Sequence, residues 1–168
     1  MHNQLIAVLA LAGALLAPMT AWAAPHIVYV TRHAEKASVD KDPELTAQGA
    51  ARARTLAAML RKAGIGAIFS TPTRRTQQTA APLAAQAGLD VQVYDAGRPA
   101  LVVEKIKARK AGATLLVGHS NNIGELVKLL GGAAGAPLGD DEYDRLYQIV
   151  IAEDGTVTTV HLSSVIAP

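Results

Sequence analysis

The stretch HIVYVTRHAEK, residues 26–36, runs from β-branched and apolar residues straight into an arginine and a histidine. Residues 26–30 read as an interior strand, because a strand covered on both faces shows a continuous apolar run rather than alternation. Arg32 and His33 then stand just past its carboxyl end. The same arrangement recurs downstream. AIFST (67–71) reads as a second strand with Arg74 and Arg75 soon after it, and VQVYD (91–95) as a third. ATLLVGHS (113–120) is the clearest buried strand of the chain and ends on Gly118 and His119.

Helical patterns fill the spaces between these strands. Thr46 caps a first helix in which Ala53, Leu56, Ala57 and Leu60 form the apolar face and Gly64 the stop. Arg52, Arg54, Arg61 and Lys62 are its solvated side. The second helix turns Ala80, Leu83, Ala84 and Ala87 inward, with Pro82 kinking it or shifting its start. PALVVEKIKARKAG supplies a third, and Ile123, Leu126, Val127 and Leu130 mark a fourth. The tail LYQIVIAEDGTVTTVHL alternates on either side of Asp154-Gly155, a hairpin signal. GGAAGAPLG (131–139) is expected to be a mobile surface loop. The fold class is therefore α/β: a three-layer sandwich, its mostly parallel sheet flanked by helices, with a C-terminal hairpin at the edge.

Ahead of this domain, LIAVLALAGALLA is an apolar run too short for a comfortable membrane span and is followed by Ala21 and Ala23 in the pattern of a signal-peptidase site. Residues 1–23 are accordingly expected to be a signal peptide and 24–168 one domain, located in the periplasm or secreted, with no stable membrane insertion after cleavage. The competing reading is an uncleaved anchor, because MHNQ carries no Lys or Arg. N-terminal sequencing of the exported protein is expected to begin at Ala24; an intact Met1 would contradict cleavage. The chain has no cysteine, so an oxidising compartment adds no disulfide. A net charge of +2 and few aromatics argue against a nucleic-acid surface.

Ligands of open α/β sheets bind outside the carboxyl ends of the strands. Arg32 and His33, the Ser70–Arg75 segment, and His119-Ser120-Asn121 all fall there. Two histidines and at least two arginines from distant segments thus meet on one rim. Such a set suits a phosphoryl group: guanidinium matches phosphate oxygens in pairs, and helix beginnings after Arg75 and Asn121 add N–H donors. A neutral imidazole attacks phosphorus, while a second, protonated one holds the transferring oxygens. Of Arg74 and Arg75, one only is expected to point inward. His26 and His161 are ordinary sheet residues. A two-histidine metal site with Glu35 or Asp95 is disfavoured, since neighbouring guanidinium groups repel a dication; no metal or cofactor is expected.

At these residues the chain resembles the histidine phosphatase superfamily, which includes phosphoglycerate mutases and acid phosphatases. The family's Arg-His-Gly stands here as Arg32-His33-Ala34. Its S-x-P-x-x-R-[AT]-x-x-T-A pattern matches STPTRRTQQTA, which sets Arg75 at the phosphate-binding position, and its strand-end Gly-His matches Gly118-His119. LTAQGAARA resembles the first-helix motif. The resemblance implies that His33 is the phosphorylated nucleophile and that Arg32, Arg75 and His119 form the phosphate pocket. The chain lacks the insertion that carries a proton-donating glutamate in larger members, and so resembles compact ones, including phosphohistidine phosphatases. Glu35 is the first candidate acid, with Asp95 and Asp42 behind it, although Lys36 could neutralise Glu35 in a solvated pair. The expected function is a metal-independent phosphohydrolase acting on a phosphorylated small molecule or phosphoprotein. The alternative is a non-catalytic phosphate-ester-binding module of the cell envelope.

Overall fold

The structure is a computed structural model and describes residues 25–109 and 111–165; the expected signal segment lies outside them. Its elements are β1 (His26–Arg32), α1 (Ala47–Leu60), β2 (Ile65–Ser70), α2 (Arg74–Ala87), β3 (Val91–Val93), α3 (Pro99–Lys107), β4 (Ala113–Gly118), α4 (Ser120–Leu129), β5 (Arg145–Ile151) and β6 (Val157–Ser163). The sheet order is β3-β2-β4-β1-β5-β6. The first four strands of that order run parallel, and β5 and β6 are antiparallel additions. The three-layer α/β sandwich and its edge hairpin are thus as the sequence implies.

Period-two alternation along the strands divides the core. Val28, Val30, Phe69 and Leu116 point to the face covered by α3 and α4, where they meet Val102, Ile106, Ile123 and Leu126. Tyr29, Ile68, Leu115 and Val117 point to the other face and pack on Leu56, Leu60 and Leu83 of α1 and α2. Burying one such aliphatic side chain stabilises the fold by about 1.5–3 kcal/mol. β1 and β4 therefore lie between two helical layers, and their carboxyl ends are held by packing on both sides.

Several local expectations need adjustment. β1 runs two residues further than its apolar core, because Thr31 and Arg32 continue the parallel register with Val117 and Gly118. Pro82 does not shift the start of α2: the helix begins eight residues earlier, at Arg74, and runs on to Ala87, which is exposed rather than inward. Arg54, Arg61 and Lys62 are solvated, but Arg52 is not. Its guanidinium forks onto Glu35 at 2.6–3.0 Å and reaches the Ser164 carbonyl at 2.5 Å.

The GGAAGAPLG loop is pinned rather than free. The Tyr147 hydroxyl donates to Ala134 O at 2.8 Å, Arg145 Nη1 to Ala136 O at 2.6 Å, and Ala133 N to Thr159 Oγ1 at 2.9 Å. Composition suggested mobility because glycine and alanine bring no anchors of their own. The donors that fix the loop come from β5 and β6, which no reading of residues 131–139 can supply.

Candidate active site

His33 follows β1 directly, and its backbone N–H donates to Gly118 O at 2.9 Å, so the parallel ladder carries on to the histidine itself. Its ring Nδ1 lies 2.8 Å from Ala34 O. A carbonyl only accepts, so Nδ1 bears the hydrogen and Nε2 keeps its lone pair, the form a nucleophilic imidazole needs. Ala34 is fixed in turn. Its N–H donates to Thr79 Oγ1 at 2.9 Å, and that hydroxyl donates to Arg75 O at 2.7 Å. Thr79 thereby ties the turn after β1 to the first turn of α2. Gly49 lets α1 approach the same turn: a Cβ there would stand 2.3 Å from Glu35 O.

Of the two adjacent arginines, Arg75 turns inward and Arg74 pairs with Glu44 at the surface. Arg75 Nη2 lies 3.4 Å from His119 Nδ1, so it is the donor and Nδ1 the acceptor. His119 Nε2–H then donates to Thr71 Oγ1 at 2.8 Å. Thr71 in turn is 2.9 Å from the buried Thr76 hydroxyl. The rings of His33 and His119 meet edge to face with centroids 5.5 Å apart.

Arg32 is buried, with Nη1 donating to the carbonyls of Gly139, Asp140 and Glu142 at 3.0, 2.8 and 3.1 Å. Its guanidinium carbon sits 4.1 Å above the Tyr143 ring, which also flanks His33. Arg32 Nε and Arg75 Nε and Nη1 are buried with no hydrogen-bond partner among the described residues. An unsatisfied buried donor costs about 1–3 kcal/mol, more when charged, so this cluster is arranged for an anion rather than for stability.

These side chains line one hollow of about 470 Å³, which Lys36, Ser120, Asn121 and Asp140 complete. The sequence therefore leads to Arg32, His33, Arg75 and His119 together. Glu35 is elsewhere: it does not line the hollow, and its partner is Arg52 rather than Lys36, whose ammonium donates to Ser38 O. Asp95 is exposed and paired with Arg98, and Asp42 accepts from the backbone of Arg74. Asp140 and Tyr143 escaped sequence reasoning, because they lie more than a hundred residues from β1 in a segment with no motif; the acidic run DDEYD was their only signal.

The two imidazoles share one electrostatic setting. Burial, above all, holds His33 well below its ordinary 6.5, to about 4; Arg75, His119 and Arg32 push the same way against the Ala34 hydrogen bond. Burial followed by Arg75 and Arg32 lowers His119 likewise to about 4. In the free protein His119 is thus held toward its neutral form, since desolvation beside two guanidinium groups disfavours a third cation.

Residues 28–98 match the histidine phosphatase superfamily (branch 1). The matched segment carries Arg32, His33 and Arg75 and stops short of His119. No curated protein matches the chain in sequence. Three solved structures illustrate the architecture. A protein histidine phosphatase SixA complexed with tungstate is 21% identical, with a TM-score of 0.65 over 82% of this chain and 97% of that one. A phosphoserine phosphatase from Entamoeba histolytica is 16% identical, with a TM-score of 0.63 over 82% and 97%. A phosphoglycerate mutase from Bacillus anthracis is 17% identical, with a TM-score of 0.64 over 83% and 93%. At these identities they establish the fold.

Proposed function

We propose that the protein is a histidine phosphatase: a phosphohydrolase that works through a covalent phosphohistidine on His33 and needs no metal. The observation that carries this reading is the lone pair of His33 Nε2 in one hollow with Arg32, Arg75 and His119. In the first step Nε2 attacks phosphorus, the P–N bond forms, and the bond to the leaving group breaks. Arg75 and Arg32 neutralise the equatorial oxygens. Water then attacks the phosphohistidine, releasing orthophosphate and returning His33 to its starting form.

His119 takes up its proton with the substrate. A phosphoryl dianion reverses the local field that keeps the ring neutral, and Thr71 accepts from Nε2–H in either charge state. The leaving-group proton, no longer assigned to Glu35, falls to Asp140 as the carboxylate residue on the wall of the hollow. Export through residues 1–23 to the periplasm or medium is part of the same proposal. Among the described residues no helix is long and apolar enough to cross a membrane.

The test is turnover of an aryl phosphate by purified protein in EDTA. Activity that survives the chelator and disappears in His33→Ala supports the reading; binding without turnover in wild type favours the non-catalytic module. Asp140→Asn is expected to slow an alkyl phosphate more than an aryl one, and equal effects would remove Asp140 from proton transfer.

The pH profile follows from the two imidazoles. Nucleophilic His33 must be neutral, and its value near 4 means protonation sets in only there. After correction for the substrate's own titration and for the proton that His119 takes up on binding, kcat/KM is expected to hold as pH falls through 6.5 and to drop near 4. An acid limb centred at 6.5 would contradict the assignment. Thermal stability has the opposite linkage to that of a paired histidine. Between 6.5 and about 4 the unfolded chain binds protons that the folded one refuses, so stability declines as pH falls through that window.

A further inference from the structure

Ser120 and Asn121, at the start of α4, line the phosphoryl hollow and also a second cavity of about 420 Å³ that continues along the same helix. The two spaces are therefore neighbours with a shared wall. Gly124 lines the helix side of the second cavity, where a Cβ would meet nothing nearer than Ala134 Cβ at 3.9 Å. Opposite stands the loop segment with Ala134, Pro137 and Leu138. That wall is preformed, because Tyr147 and Arg145 hold its carbonyls from beneath. Its continuation, residues 139–142, is bound to Arg32 Nη1, so one arginine joins the phosphoryl hollow to the groove wall.

Resting on the phosphatase reading, we propose that this groove is the leaving-group subsite and that it takes an uncharged, polyhydroxylated group of about monosaccharide size. The size follows from the volume, at the lower end of small-molecule pockets. The chemistry follows from the lining. Ser120, Asn121, Glu125 and Lys128 bring a hydroxyl, an amide, a carboxylate and an ammonium to the groove from one helix, enough donors and acceptors for several hydroxyls. Glu125 and Lys128 together bring no net charge to the groove, so its lining favours neither sign of a charged group. The groove's aromatic residue, Tyr147, packs its ring on His161 at 4.8 Å and gives its hydroxyl to Ala134, so a nucleobase finds no free face to stack on. Ala134, Pro137 and Leu138 suit the C–H face of a sugar ring.

The experiment compares kcat/KM for a hexose 6-phosphate and for ethyl phosphate, which share a primary alkoxide leaving group. Wild type is expected to favour the hexose ester by about tenfold or more. Gly124→Leu, which fills the groove, and Glu125→Ala/Lys128→Ala, which strips its polar groups, are each expected to collapse that ratio toward one. A wild-type ratio near one, a ratio unchanged in both variants, or better turnover of a nucleoside 5′-monophosphate overturns the subsite. Aryl phosphate turnover in EDTA is measured on the same preparation. If it is absent the phosphatase reading fails, whereas aryl turnover with a flat hexose ratio defeats the subsite alone.

Discussion

His33→Ala is expected to lower aryl phosphate turnover by about 10³–10⁴-fold or more while leaving anion binding in place. The substitution removes the one group in the hollow, among the described residues, that combines a free lone pair with a fixed orientation. Nε2 is unprotonated because Nδ1–H is spent on Ala34 O, and the backbone is held by Gly118 O on one side and Thr79 on the other. The cationic side chains stay, since Arg32 and Arg75 are positioned by α2, His119 and the 139–142 loop rather than by His33. Tungstate titration therefore separates chemistry from binding. Turnover in the variant within tenfold of wild type would assign the reaction to another nucleophile, and loss of anion binding together with turnover would make His33 a structural residue.

Arg75→Met is expected to cut kcat/KM by about 10²–10³-fold and at the same time to make the protein more stable, by about 1 kcal/mol. The two effects have one cause. Arg75 places Nε and Nη1 in a buried site without hydrogen-bond partners, and its nearest carboxylate, Asp42, is 3.8 Å away. A methionine of similar length keeps the packing and removes the desolvated cation. It also relieves the pressure of that cation on both imidazoles. Steady-state kinetics and thermal melting on one preparation check both halves. An earlier melt would mean that the guanidinium is satisfied after all, and near-normal kcat/KM would remove it from phosphate recognition.

Much of this site was legible in the chain because it sits where apolar runs stop. The ends of β1, β2 and β4 are marked by Arg32-His33, the Ser70–Arg75 segment and Gly118-His119, and parallel strands between helices bring such ends to one rim. The alternation of the core was equally legible, down to Ala53, Leu56, Ala57 and Leu60 on α1. What escaped depends on contacts between distant segments. Glu35 looked available because it is two residues from His33, but Arg52, with a guanidinium that also reaches Ser164, holds its carboxylate outside the hollow. The periodicity of α1 put Arg52 on the solvated side; it could not say that this side faces the turn after β1. The 131–139 loop misled in the opposite direction, since its anchors are Tyr147, Arg145 and Thr159. The charge state of His119 was out of reach for a third reason: it depends on burial between two guanidinium groups, which residue order does not encode.

The most direct measurement is a crystal structure of the protein with tungstate. The ion is expected within bonding distance of His33 Nε2, with its oxygens on Arg75, Arg32 and His119 Nδ1. Tungstate seated away from His33, or a hollow that stays free of it at saturating concentration, would contradict the account.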